Sequence, residues 1–277
     1  MLDTDAFRRH GYLTPLEGLG AERTGFYRDA LLRCCAEGVR AESEAGIRQP
    51  QTRVKPYLLF PWAAALVRER AILDAVSAVI GPDIMVFHTT IWWKAAGSEG
   101  RVPWHQDATY FGLAPHEHVT AWVALTDSLP ESGCVRVLPG SHRMGQRPHA
   151  DRKDPSLMLS RGQSLVDAID EGAAVPMALR AGQFSLHDTL AFHASAPNMA
   201  GYDRIGVGIS YIPTRVRHIG ETRLSATLVA GVDRYGHFDH EAAPVGELDA
   251  AAVAAHEDSI ARFWRASESI PEMAMAH

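Results

Sequence analysis

The stretch Trp104-His-Gln-Asp107 constrains this chain most strongly, because it places an imidazole and a carboxylate two residues apart. On an extended strand, side chains at this spacing point to the same face, so His105 and Asp107 could bind one small cation together. A third ligand must then come from elsewhere, and His193 is the best candidate. Two histidines and one carboxylate on one face of an octahedron are the ligands of non-haem Fe(II) oxygenases, which leave positions open for cosubstrate and oxygen.

Each of these residues also has a simpler interpretation. A lone His-x-Asp pair is common on solvated strands, and His193 could be a core histidine bonded to a backbone carbonyl. His187 competes with it for the third position. We favour His193 because Arg204 follows it, and a short turn through Pro197-Asn198 would return the next strand antiparallel and bring the guanidinium near the metal. Arginine binds carboxylates bidentately, and His187 would then be a pocket residue.

The bulk properties exclude several classes of protein. With 277 residues, 46% hydrophobic and 22% charged, the chain can fold around a sizeable core, and we place residues 1–277 in one domain. A net charge of -6 argues against nucleic-acid binding. Three cysteines without a disulfide pattern suit a reducing cytoplasm. No signal peptide or membrane span is expected, since no apolar run reaches about 18 residues. The oligomeric state cannot be read from the sequence.

Helical periodicity indicates three long helices. Apolar residues recur at three- and four-residue steps over residues 21–45, 62–80 and 249–267. Gly81-Pro82 would end the second helix, because glycine suits a left-handed cap and proline cannot continue a helix. Residues 1–20 predict a short helix followed by an extended piece.

After Asp83 the period changes to that of β-structure. Strands are expected at 84–93, 103–110, 118–125, 133–138, 183–187, 190–193 and 205–213, separated by Gly and Pro turns. Many short strands of this kind predict a mainly β fold with flanking helices, whose core over about 84–213 is a double-sheet jelly roll or a related barrel. Of these we favour the double-stranded β-helix, that is, a cupin-like jelly roll. Residues 143–175 are interpreted either as a lid or as a solvated insertion, and residues 215–245 as irregular.

The motifs of this core resemble those of the phytanoyl-CoA dioxygenase family of Fe(II)- and 2-oxoglutarate-dependent oxygenases. The matching pieces come in the family's order over about residues 80–213. They are Gly81-Pro-Asp-Ile-Met-Val-Phe-His-Thr-Thr90, Trp104-His-Gln-Asp107, Ala121-Trp-Val-Ala124, Gly133-Cys-Val-Arg-Val-Leu-Pro-Gly-Ser-His142, and His193-x-Ser-x-x-Asn198 followed by Arg204.

The resemblance implies roles for individual residues. His105, Asp107 and His193 would ligate Fe(II), and Arg204 would hold the distal carboxylate of 2-oxoglutarate. Further positions that match cosubstrate contacts in the family are Trp122, Thr90, Ser195 and, at a different spacing, Lys55.

The resemblance also implies the reaction. O2 and 2-oxoglutarate would be consumed, succinate and CO2 released, and an unactivated C–H bond of a small molecule hydroxylated. The substrate would be an amino acid, a phosphonate or a natural-product intermediate, free or tethered to a carrier protein. Related halogenases carry Ala or Gly where Asp107 stands, so its carboxylate favours hydroxylation. Desaturation or cyclisation is an alternative outcome.

Two rival functions come from other classes. A zinc hydrolase can use the same two histidines and carboxylate, but it needs no carboxylate clamp such as Arg204. A non-catalytic jelly-roll binding protein would be expected to have lost its ligands, whereas this chain keeps them.

Overall fold

Two β-sheets form the centre of the molecule, which we describe from a computed structural model covering residues 2–45 and 51–269. The helices are α1 (Thr4–His10), α2 (Ala21–Ala45), α3 (Pro61–Leu66), α4 (Arg70–Ile80), α5 (Ala108–Phe111) and α6 (Ala250–Ser269). The strands are β1 (Tyr12–Glu17), β2 (Ile84–Lys94), β3 (Val102–His105), β4 (Leu113–Ala114), β5 (Val119–Ala124), β6 (Val135–Val137), β7 (His149–Ala150), β8 (Ser164–Leu165), β9 (Val175–Pro176), β10 (Gln183–Asp188), β11 (His193–Ser195), β12 (Arg204–Pro213), β13 (Arg217–His218), β14 (Ser225–Ala230) and β15 (Asp239–His240).

The larger sheet has the strand order β1-β10-β5-β12-β2-β14-β15, and the smaller has the order β3-β11-β6-β9. All neighbours in both sheets are antiparallel except β14 and β15. Because strands that are distant in sequence pair side by side, the two sheets form a double-stranded β-helix. The predicted mainly β jelly roll is therefore confirmed.

The two faces of the larger sheet differ in chemistry. Its outer face packs against α2, α3 and α4, and this hydrophobic cluster includes Tyr27, Leu66, Ile72, Val123 and Val207. Burial of this many apolar side chains is the main term that stabilises the fold. The inner face carries polar and aromatic side chains instead. Because successive side chains of a strand point to opposite faces, one face of the sheet forms the hydrophobic core and the other carries the candidate functional residues.

Several predicted elements differ in detail. The helix expected over 62–80 is two helices, α3 and α4, separated where the backbone of Glu69 is extended (φ -58°, ψ 125°). The strand expected at 103–110 ends at His105, and α5 follows. The strand expected at 190–193 instead begins at His193.

The return from His193 to Arg204 also differs from the prediction. Strand β11 pairs with β3 and β6 in the smaller sheet, whereas β12 pairs with β2 and β5 in the larger one. The chain thus crosses between sheets and does not form a hairpin. The 215–245 region, expected to be irregular, contributes β14 to the larger sheet.

Residues 143–175 contain the β7–β8 hairpin and end at β9 of the smaller sheet. No helix within the described ranges has the length and apolar character that crossing a membrane requires. Confinement of the whole chain to one domain stays a prediction.

Candidate metal centre

Three side chains predicted from sequence to bind a metal meet in the interior. The Nε2 atoms of His105 and His193 each lie 3.6 Å from Oδ1 of Asp107. All three donor atoms lie within 4.8 Å of one another, and this is the one such group of His, Cys, Asp or Glu side chains in the described part of the chain. Donors about 2.1 Å from a shared ion are at most about 4.2 Å apart. The Nε2–Oδ1 separations therefore fit a common ion.

The backbone conformation that brings these three residues together differs from the shared strand face that the sequence predicts. His105 ends β3 and lies directly opposite His193 in the register of β3 and β11. Asp107 is not on the strand, because it has helical backbone angles (φ -62°, ψ -37°) and caps α5. The turn from strand into helix, rather than a shared strand face, directs the carboxylate toward both imidazoles.

Hydrogen bonds to the backbone fix both rings. Nδ1 of His105 lies 2.9 Å from the carbonyl oxygen of Pro103, and Nδ1 of His193 lies 3.0 Å from that of Ala191. A ring nitrogen facing a carbonyl must donate, so each Nδ1 carries the proton and each Nε2 presents its lone pair. This orientation is the usual one for metal-binding histidines.

The charge state of the centre also suits a divalent cation. Burial alone would raise the pKa of Asp107, but the surrounding imidazoles, that of His193 above all, hold its pKa well below the usual range. Burial lowers the pKa of His193 well below its ordinary value, and the neighbouring imidazoles of His105 and His187 act in the same direction. The site therefore presents an anionic oxygen beside a neutral imidazole, which are the forms that bind metal.

Thr120 holds the outer oxygen of the candidate carboxylate ligand. Its Oγ1 donates to Oδ2 of Asp107 at 2.8 Å, which leaves Oδ1 facing the two histidines. Thr120 was not predicted as a site residue. The sequence could have identified it, because side chains alternate along β5 and Thr120 lies on the same face as Trp122.

We expect Thr120→Val to weaken metal binding by about 10-fold, because hydrogen bonds that orient a ligand typically contribute about 10- to 100-fold to metal affinity. Titration of the metal-free protein with Mn(II) by calorimetry measures this. Thr120→Ser, which keeps the hydroxyl, is the matched control and should bind Mn(II) nearly as the unaltered chain does. Equal affinities for all three proteins would show that this hydroxyl does not orient the ligand.

A buried guanidinium lies at the start of β12. Arg204 is 1% exposed, and its Cζ atom lies 5.1 Å from the centre of the Trp122 ring. Its Nε and Nη2 atoms are buried and have no hydrogen-bond partner among the described residues. Burial lowers the pKa of Arg204 to about 10, so the group stays charged at neutral pH. A buried cation with free donors fits an anion that this site would bind.

Glycine makes room for the indole beneath this guanidinium. A Cβ atom on Gly206 would lie 2.3 Å from Cη2 of Trp122, closer than carbon atoms can approach. The Arg204-Ile-Gly206 sequence therefore lets the ring lie against β12 next to the guanidinium.

The remaining predicted residues lie around these two groups. Thr90 is paired with Gly208 on β12, which is in turn paired with Trp122 on β5. Ser195 accepts a hydrogen bond from Lys94, whose Nζ lies 2.7 Å from its Oγ. The structure thus brings Thr90 and Ser195 close to the predicted cosubstrate site.

The structure also shows where His187 and Lys55 lie, the two other residues that the sequence suggested for this site. His187 is buried, its ring centre is 4.4 Å from that of His193, and its Nε2 lies 3.4 Å from Oδ2 of Asp107. It therefore lies beside the centre, on the side of the outer carboxylate oxygen. Lys55 does not point into the site as a free cation, because its Nζ forms a buried ion pair with Glu241 at 2.8 Å.

Two histidines and one carboxylate that can share one ion are the ligand set of non-haem Fe(II) oxygenases. The comparisons agree with this class. The family model described as phytanoyl-CoA dioxygenase (PhyH) matches residues 7–206, which is more than half of the chain. The chain belongs to the phytanoyl-CoA dioxygenase family, as its motifs predict.

Individual relatives differ in how much they share. The structure of the non-haem monooxygenase ThoJ without metal is 33% identical with a TM-score of 0.82, covering 96% of this chain and 97% of that chain. Human peroxisomal phytanoyl-CoA dioxygenase is 30% identical over 131 residues, which are 46% of this chain and only 39% of that enzyme. Ectoine dioxygenase from Streptomyces anulatus is 23% identical over 227 residues, which are 76% of each chain.

Proposed function

We propose that this chain is an Fe(II)- and 2-oxoglutarate-dependent dioxygenase that hydroxylates an unactivated C–H bond of a small molecule. The observation that carries the proposal is that the fold contains both the His-Asp-His cluster and the buried guanidinium of Arg204, whose Nε and Nη2 have no hydrogen-bond partner among the described residues. Thr120, which binds Asp107, and Trp122, which lies under Arg204, are roughly 7 Å apart on one face of β5. The residues that contact the candidate carboxylate ligand and the guanidinium thus occupy neighbouring positions on one strand face, and a five-carbon dicarboxylate has one end for the metal and one for the guanidinium.

The chain's residues would divide the work as follows. His105, Asp107 and His193 hold the ion, and Arg204 binds the distal carboxylate of 2-oxoglutarate. Trp122, Thr90 and Ser195 form the wall of the cosubstrate site. When bound, iron supplies the oxidative chemistry, in which one oxygen atom of O2 enters the substrate C–H bond and the other enters succinate as CO2 is released.

Residues 143–175 are proposed to cover this centre. The Gln106 side chain donates to the carbonyl oxygens of Gly145 and Leu190 and accepts from the backbone N–H of Arg147. The backbone N–H of Gln106 donates to His149 at 3.0 Å. Gln106 lies between the candidate ligands His105 and Asp107, so its hydrogen bonds to Gly145, Arg147 and His149 connect the 143–175 segment to the metal centre. They support a fixed cover that excludes water from the reaction.

The carboxylate of Asp107 favours hydroxylation over halogenation, because the related halogenases need this donor position empty for a halide. A radical halogenase, or desaturation or cyclisation, is the nearest alternative. A zinc hydrolase is less well supported, since it gives the buried guanidinium of Arg204 no anion to bind.

The substrate is proposed to be a small amino acid, phosphonate or natural-product intermediate, free or tethered to a carrier protein. We propose a cytoplasmic location, because the three cysteines of the chain show no disulfide pattern and suit a reducing compartment. Nucleic acid and membrane partners are not proposed.

Anaerobically prepared protein supplied with Fe(II), 2-oxoglutarate and O2 tests this function. We expect slow succinate formation without substrate and faster formation when a substrate is present, with a product heavier by one oxygen atom. Candidate small molecules are screened by 2-oxoglutarate consumption and then by mass. Turnover that depends on Zn(II) and water, with no succinate at any point, would favour the hydrolase instead.

A further inference from the structure

Lys94 is a buried lysine without an acidic partner. It ends β2, is 1% exposed, and forms no ion pair with any described carboxylate. A lysine this deeply buried is normally neutralised by a carboxylate. By contrast, Lys55, the other deeply buried lysine discussed above, is paired with Glu241. The environment of Lys94 therefore requires a separate explanation.

The neighbours of Lys94 belong to the proposed cosubstrate site. Lys94 lies directly opposite Arg204 in the register of β2 and β12. Its Nζ donates to Oγ of Ser195 at 2.7 Å and to the carbonyl oxygen of Ala196. Burial first, and then the charge of Arg204, lower the pKa of Lys94 to about 5, with the thiol of Cys134 acting in the opposite direction. An amine and a guanidinium thus share one buried region, and neither forms an ion pair with a described carboxylate.

The direction of the hydrogen bond determines what Ser195 can do. The carbonyl oxygen of Ala196 takes one N–H of the Lys94 amine and Oγ of Ser195 takes a second, so the proton of the Ser195 hydroxyl can donate elsewhere. Lys94 connects this hydroxyl donor to the strand position opposite Arg204, whose Nε and Nη2 have no partner among the described residues, and together these donors match the acceptor pattern of a carboxylate.

We propose that Lys94 is a positioning residue for a dicarboxylic 2-oxo acid. It orients Ser195 so that the hydroxyl donates to the distal carboxylate that Arg204 binds. The proposal rests on the proposed function and adds a residue and a selectivity to it. The chain should prefer 2-oxoglutarate to 2-oxopentanoate, which has the same carbon number but no distal carboxylate, and Lys94 should contribute to that preference.

The test measures binding of both acids to the Mn(II)-loaded protein by anaerobic calorimetry, so turnover is not needed. We expect Lys94→Met to weaken 2-oxoglutarate binding by about 10-fold and leave 2-oxopentanoate binding within about 2-fold, since only the first acid has the carboxylate that Ser195 binds. Ser195→Ala should have the same selective effect. The double variant should bind 2-oxoglutarate about as weakly as either single variant, because both remove one interaction.

Other results would overturn the inference. A purely structural role for Lys94 would weaken both acids equally, and a melting temperature that falls without any change in selectivity would point the same way. If Lys94→Met does not fold, Lys94→Gln takes its place, and unchanged selectivity in that variant rejects the proposal. Failure of the unaltered chain to bind 2-oxoglutarate would reject the proposed function itself, which is a distinguishable result.

Discussion

Asp107→Ala is expected to abolish succinate formation and to lower metal affinity by more than about 100-fold. Loss of a hydrogen bond that only orients a ligand typically costs up to about 100-fold, so loss of the ligand itself should cost more. The carboxylate is the one anionic donor among the three, and it is ionised because its pKa lies well below the usual range. Two neutral imidazoles alone would hold a divalent ion weakly. Succinate measured by NMR, with bound metal measured after desalting, checks both effects.

Two further variants separate charge from shape at this position. Asp107→Asn keeps the size of the side chain but removes the charge, and it should fail nearly as completely as Asp107→Ala. Adding chloride to Asp107→Ala tests whether a halide can replace the carboxylate, and a chlorinated product would support the halogenase relationship. Full turnover by Asp107→Ala would rule out the assigned His-Asp-His centre.

The sequence predicted which residues meet at the centre better than it predicted how they meet. His105, Asp107 and His193 lie together, yet the strand alternation that first grouped His105 with Asp107 does not hold, because Asp107 begins a helix. Local patterns are sensitive to one change of backbone conformation. Motif resemblance, which does not depend on the local conformation, groups the same three residues, and the structure places them together.

The missed features depend on contacts between distant segments. Thr120 and Lys94 matter through their partners, Asp107 and Ser195, which lie 13 and 101 residues away in sequence. Strand β14 was missed because it is defined by its pairing with β2 and β15 as much as by its own residues. By contrast, α2 and α6 were placed closely because helical periodicity is local.

Arg204→Met is expected to raise the concentration of 2-oxoglutarate needed for half-maximal succinate formation by about 100-fold, since a charge-assisted bidentate contact contributes on the order of 2–3 kcal/mol. Methionine preserves the packing on Trp122 but offers no donors. Arg204→Lys should give an intermediate value, because an ammonium keeps the charge and loses the planar fork.

Arg215 and Arg217, two exposed arginines that follow Arg204 in the sequence, provide the matched control for Arg204→Met. Arg215 forms an ion pair with Glu117 and is substantially exposed, unlike Arg204. Arg215→Met should therefore leave the 2-oxoglutarate requirement within about 2-fold of the unaltered chain, because exposed ion pairs contribute little. An unchanged requirement in Arg204→Met, together with a raised one in Arg215→Met or Arg217→Met, would move the carboxylate clamp away from β12. Since Nε and Nη2 of Arg204 are buried and have no partner among the described residues, we expect the opposite result: loss of Arg204 should weaken 2-oxoglutarate binding and leave metal binding unchanged.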